Sequence, residues 1–497
     1  MRCTHRLLTA AIVLASAAVA AAADVAATIP ARPEQLKYPA LAFKVPDAAA
    51  MRVTLANGVP AYVAADRMLP LVTVQVFFRG GKYLEPVGKE GVAELMGTVW
   101  RTGGAGTLDA KALDEELDFL AASLTTSVGG VSGSVSLNLL SKDLDRGLGL
   151  MMEVLRAPRF DEARLAKAKE DVLSEMKRRN DETEAIEARE WDRLVYGDGY
   201  WINRLATKAS VDGITRADLV AFHQLLANPA NFVVAVAGDF DRAAMIAKLN
   251  ATLGAWKPTG KGVPAVPQPT DSAKPGVYMV NKPDVNQGRV SIGTLGVKRP
   301  LPDEFALEVA NDILGGGGFT AWMMSRVRSD EGLAYSAYSQ YSIGDLYPGV
   351  FRAFFQSKSS TCAQAAKLTV DLMNKMRAGE VTDKELVTSK NSFTETLPRL
   401  FESKLRTATR FAQDELVGRP HAYWTTYREK VGAVTVPEVG EAARAHMRTD
   451  RLIILVVGNV DAILKGSPDH QEASFAALGP IVRLPLRDPL TLQPLPN

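Results

Sequence analysis

The sequence predicts an α+β protein of two homologous domains, each a mostly antiparallel sheet packed with helices, joined by a proline-rich linker. Three observations carry this prediction. First, Thr215 leads through a helical stretch to the apolar strand Phe232 to Ala237 and then Gly238, and Thr435 leads likewise to Leu452 to Val457 and then Gly458. The spacing from Thr to Gly is 23 residues in both copies, which lie 220 residues apart, so the repeating unit is a whole domain rather than a short solenoid repeat. Second, Val72, Val74 and Val76 alternate with Thr73, Gln75 and Phe77, and Gly133, Val135, Leu137 and Leu139 alternate with Ser134, Ser136 and Asn138. That is the period of half-buried strands, and without regular strand-helix-strand alternation it favours α+β over a doubly wound parallel sheet. Third, the segment Lys257 to Pro275 carries five prolines among Gly, Ser, Thr and Lys, a composition that buries no core and suits an extended linker.

Taken in order, residues 1–23 read as a secretory signal peptide, with Arg2, His5 and Arg6 ahead of the apolar run Leu7 to Ala20 and small residues at the expected cleavage point. Residues 24–48 form an N-terminal arm, 49–256 the first domain, 257–275 the linker, 276–480 the second domain and 481–497 a proline-rich tail. The mature chain is therefore expected to be exported and soluble, periplasmic if its source is a Gram-negative bacterium, since no later stretch reaches about eighteen unbroken apolar residues. With Cys3 removed in the signal, only Cys362 remains, so no intrachain disulfide can form and size must supply the core. A net charge of +2 with 23% charged residues gives no bias toward nucleic acid.

Familiar catalytic constellations are missing. Beyond His5, the histidines are His223, His421, His446 and His470, and no two are three or four residues apart, so no helix carries a two-histidine metal site. There is no G-x-S-x-G elbow, and Cys362 sits in a plain Ser-Thr-Cys-Ala context that suits a small buried filler.

In the first domain, Val92, Leu95, Met96, Val99 and Trp100 fall on one helical face, and Gly103-Gly104 closes the helix. The string from Gly91 to Gly103, Gly-Val-Ala-Glu-Leu-Met-Gly-Thr-Val-Trp-Arg-Thr-Gly, resembles the zinc-binding helix of the pitrilysin/insulinase metallopeptidase family. In that family H-x-x-E-H follows a Gly-hydrophobic-Ala opening; the histidines bind zinc and the glutamate activates its water. The matching positions here are Glu94, Gly97 and Thr98, with neither imidazole and no general base. The distal zinc ligand of the family falls on Glu175, 77 residues beyond Thr98 on a charged helix. Glu94, Glu175 and Thr98 would offer only hard oxygen donors, better suited to calcium or magnesium than to zinc, and we read both glutamates as solvated helix charges.

The second domain keeps its motif. Asn311-Asp312-Ile313-Leu314 and the glycine run Gly315 to Gly318 lead through Phe319 and a helix to Arg328, then to Gly332-Leu333-Ala334-Tyr335-Ser336. This resembles the second-domain signature of the same family, in which an arginine and a tyrosine seven residues later hold the substrate backbone and the developing oxyanion. The resemblance places these roles on Arg328 and Tyr335, with Ser329 replacing the usual glutamate after the arginine. It implies a non-catalytic subunit without a cofactor of its own and without independent activity. A zinc-bearing paralogue would complete a heterodimer that hydrolyses unfolded peptides. The alternative it leaves is a structural or peptide-binding scaffold.

Overall fold

The computed structural model describes residues 32, 35, 36 and 42–496, so the expected signal peptide and most of the arm lie outside the described residues. Val45–Asn497 forms a compact unit of its own. Among the described residues no helix is long and apolar enough to cross a membrane.

The fold is α+β, with two six-stranded sheets. The first runs β1-β2-β6-β3-β5-β4, built from Arg52–Thr54, Pro60–Ala65, Leu71–Arg79, Ser123–Val128, Ser132–Leu140 and Phe232–Gly238 for β1 to β6. The second runs β12-β7-β11-β8-β10-β9, from Gly276–Asn281, Gln287–Leu295, Ala334–Tyr341, Val350–Lys358, Ile453–Gly458 and Ile481–Leu484 for β7 to β12. Five strands repeat in the same order; the sixth does not. β1 joins antiparallel from the N-terminal side, whereas β12 joins parallel to β7, so residues 481–484, placed by the sequence in the tail, complete the second sheet.

Each sheet packs one face on its own domain's helices and the other on a helix from the opposite domain. The helix Val92–Thr102, here α1, buries Leu95, Met96, Val99 and Trp100 against Val74, Val76 and Val236 of the first sheet. The other face receives α5, Lys404–Val417 from the second domain, whose Phe411 stands 6.0 Å from the Tyr62 ring. At its C-terminus Glu415 accepts from Arg52 at 2.8 Å and from the Tyr62 hydroxyl at 2.6 Å, and the Arg52 guanidinium leads in holding that carboxyl down at about 2. Reciprocally, α3, Thr183–Tyr196 of the first domain, packs Ile186, Trp191, Leu194 and Val195 against Ile453, Leu455 and Val457 of β11. Its buried Glu187 accepts from Arg289 at 2.7 Å, Ser291 at 2.6 Å and Arg352 at 3.0 Å. The exchange explains why β6 and β11 read as unbroken apolar runs: both faces are covered, so neither alternates.

The linker is extended but not free. Pro264 accepts from the Tyr83 hydroxyl at 2.6 Å and Pro267 from the Tyr200 hydroxyl at 2.8 Å, both first-domain donors.

Candidate functional site

The helix α1 keeps the frame of a metal helix and not its donors. It starts at Gly91, whose left-handed φ of 102° only glycine adopts freely. The buried Glu85 accepts at Oε1 from Gly91 N and Ala93 N, taking up first-turn donors, while its Oε2 has no partner. Gly104, at φ 80°, lets the chain turn away after the helix.

Glu94 and Thr98 lie one turn apart on the exposed side of α1. Glu175 lies near the end of α2, Glu162–Lys177, which packs on α1. Desolvation and then the like charge of Glu175 push the Glu94 carboxyl above the usual carboxylate range, while Arg179 and Lys82 offset part of that push. The structure thus brings Glu94 and Glu175 to one patch, and the sequence reading missed the two cations beside it. Gly97, where the base would stand, is buried, and its carbonyl accepts from the Thr126 hydroxyl of β4 at 2.7 Å. A Cβ at Gly97 would lie 3.1 Å from the Val128 backbone nitrogen, so β4 has closed over the glycine.

In the second domain Arg328 lies on a π-helical segment, Met324–Asp330, rather than an ordinary α-helix, closed by Leu333 N donating to Val327 O at 2.9 Å. Such segments recur at functional sites because they re-aim side chains. The Arg328 guanidinium sits between two rings, 4.9 Å from the Phe319 centroid and 5.2 Å from that of Tyr335. Among the described residues no carboxylate lies within ion-pair distance of it. Phe319, 75% exposed at the end of the glycine run, was given no role in the sequence reading; an aromatic residue directly after glycines was the available signal.

Tyr335 is 86% exposed, so it is not packed between domains. A β-bulge puts it there. In β10 the step from Phe355 to Ser357 covers two residues, while the facing step in β9 runs from Ala337 to Ala334. The extra residue shifts the alternation. Tyr338 and Gln340 already point outward, and without the bulge Tyr335 would point into the core beside Ala337.

The histidines among the described residues are each engaged elsewhere: His223 with Leu155 O, His421 with Tyr62, His446 with Asp303 and His470 with Glu472. Burial drives the His223 imidazole down to about 4 and the Cys362 thiol up to about 12, so neither suits nucleophilic or acid-base work at neutral pH.

Comparison with known proteins gives the ancestry. Residues 63–200 match the family model described as insulinase, peptidase family M16, and residues 213–393 match the peptidase M16 inactive domain. The chain belongs to the M16 insulinase family. It is 23% identical over 405 residues to the "non-peptidase homolog YmxG" of Helicobacter pylori, covering 81% of this chain and 92% of that one. It is 27% identical over 328 residues to an "uncharacterized zinc protease" of Mycobacterium bovis, covering 65% and 73%. A crystal structure of a peptidase M16 inactive domain from Pseudomonas fluorescens superposes with a TM-score of 0.74 at 25% identity, covering 82% of this chain and 97% of that one.

The zinc that M16 peptidases use does not fit this member. The donor set has no nitrogen or sulfur, Gly97 offers no base, and among the described residues no group of three or more His, Cys, Asp and Glu could hold a metal. Restoring the ligands by Glu94→His, Gly97→Glu and Thr98→His is expected to fail in this M16 frame. The new side chain at 97 must displace Val128, and overpacking of this kind commonly costs about 1–3 kcal/mol. The triple variant should melt earlier and carry well under one zinc per chain. Stoichiometric zinc by elemental analysis with an unchanged melting temperature would show that β4 yields freely.

Proposed function

We propose that this chain is the non-catalytic subunit of an exported M16 metallopeptidase, supplying Arg328 and Tyr335 to a peptide whose scissile bond is attacked at the zinc of a partner paralogue. The observation that carries this reading is the half-buried Arg328, set against two aromatic rings without a carboxylate partner, beside the solvent-facing Tyr335. Guanidinium and phenol are both donors, and both can meet a carbonyl oxygen as charge develops on it. A chain whose own metal helix lacks imidazole and base can use such donors only when zinc and water come from elsewhere. The N-terminal segment, basic and then apolar with small residues before Asp24, supports export.

The test is reconstitution. A zinc-bearing two-domain paralogue from the same organism, mixed with this chain, should form a heterodimer and hydrolyse unfolded peptides, while each chain alone does not. Equal hydrolysis by the paralogue alone would overturn the proposal and leave the scaffold reading in its place.

A further inference from the structure

The bulge that turns Tyr335 outward also aligns it with a second aromatic group on the same face of the second sheet. Tyr338 of β9 stands opposite Phe354 of β10, with ring centroids 6.0 Å apart. The Arg352 guanidinium lies 4.9 Å from the Phe354 centroid and 5.6 Å from that of Trp191 on α3. From α3 outward the face therefore presents Arg352, Phe354, Tyr338 and Tyr335, ending at Arg328 and Phe319. The two cations differ. Arg352 is paired with Glu187 at 3.0 Å, whereas Arg328 meets only the two rings. An aromatic strip thus ends in one uncompensated positive charge.

The outer edge of β9 does not invite an added strand. Met324 Sδ stands 3.4 Å from Ala337 N, Asn311 accepts from the Ser339 hydroxyl at 2.9 Å, and two π-helical segments, Asp312–Gly316 and Met324–Asp330, pack along β9. A ligand must lie across the face and be read through its side chains.

We propose that this face selects extended, unstructured peptides carrying a large apolar or aromatic side chain two residues from a carboxylate. The ring or aliphatic chain lies on Tyr338 and Phe354, and the carboxylate meets Arg328. Same-side residues of an extended peptide are about 7 Å apart, the span of the two-residue step from Phe355 to Ser357 in β10 that faces the bulge. Charge complementarity fixes the acid: a guanidinium already held against two rings needs little ordering to take a bidentate carboxylate. The inference rests on the peptide-binding reading above, but its test needs neither the partner subunit nor hydrolysis.

The experiment is fluorescence anisotropy on the isolated full chain, with labelled unstructured peptides containing Phe-Ser-Glu, Ala-Ser-Glu or Phe-Ser-Gln in one neutral frame. The Phe-Ser-Glu peptide should bind roughly 10-fold tighter than either of the others, each lost contact being worth about one decade. Tyr338→Ala with Phe354→Ala should abolish the preference for Phe and keep that for Glu; Arg328→Gln should do the reverse. Melting curves check that the variants fold, and the wild-type comparison stands without them. Equal affinity for the three peptides, or a Phe preference that survives the double replacement, overturns the proposal. Normal selectivity with no activity in the reconstituted mixture would instead remove the heterodimer reading and leave this one intact.

Discussion

Tyr335→Phe is expected to lower the turnover of the reconstituted heterodimer by roughly 10²-fold, the scale for one lost oxyanion donor, while zinc content and assembly stay unchanged. The substitution isolates the hydroxyl. The ring 5.2 Å from the Arg328 guanidinium remains, so the arginine keeps its platform, and at 86% exposure no packing depends on the phenol. KM should move little, because the charge being stabilised appears only in the transition state. Arg328→Ala should differ by raising KM as well, since a guanidinium also holds ground-state carbonyls or carboxylates. Steady-state kinetics on the purified heterodimer checks both. Parental turnover in the Phe variant would remove the main support for a catalytic-partner role.

The second large effect concerns the fold. Phe411→Ala is expected to cost about 3–5 kcal/mol, the range for emptying a buried aromatic site, although Phe411 belongs to the second domain and its neighbour Tyr62 to the first. Phe411 is 1% exposed on α5, which lies on the first sheet, and the neighbouring Glu415 is bound by Arg52 and Tyr62 across the same contact. Because α3 makes the reciprocal contact with β11, loosening one helix uncovers apolar strand on both sides. Denaturant unfolding followed by tryptophan fluorescence and by circular dichroism should therefore show one shared transition at a lower midpoint. Two separated transitions, or a loss below about 1 kcal/mol, would mean that the exchanged helices do not couple the halves.

Much of the architecture was legible because it is written in local periodicity. Alternating Val72, Val74 and Val76 became β3, and the two apolar runs ending at Gly238 and Gly458 became the matching strands β6 and β11. Their lack of alternation was also visible, but its cause was not: the covering helix comes from more than 160 residues away in sequence for β6 and from more than 250 for β11, and nothing local encodes such a contact. The end of the second domain was misplaced for a related reason. Ile481–Leu484 is too short to show a period, and it becomes a strand only because β7 offers it an edge.

At the site the division is sharper. The sequence by itself determined which donors exist: no imidazole at 94 or 98, no side chain at 97, an arginine at 328 and a tyrosine at 335. Side-chain chemistry is fixed by residue identity, so the loss of the zinc ligands needed no coordinates. Only the tertiary structure decided where those groups point. That Val128 closes on Gly97, that Phe319 and Tyr335 flank Arg328, and that a bulge carries Tyr335 outward all depend on strand register. Register is set by pairing between distant segments, where a slip of one residue moves a side chain from the core to solvent.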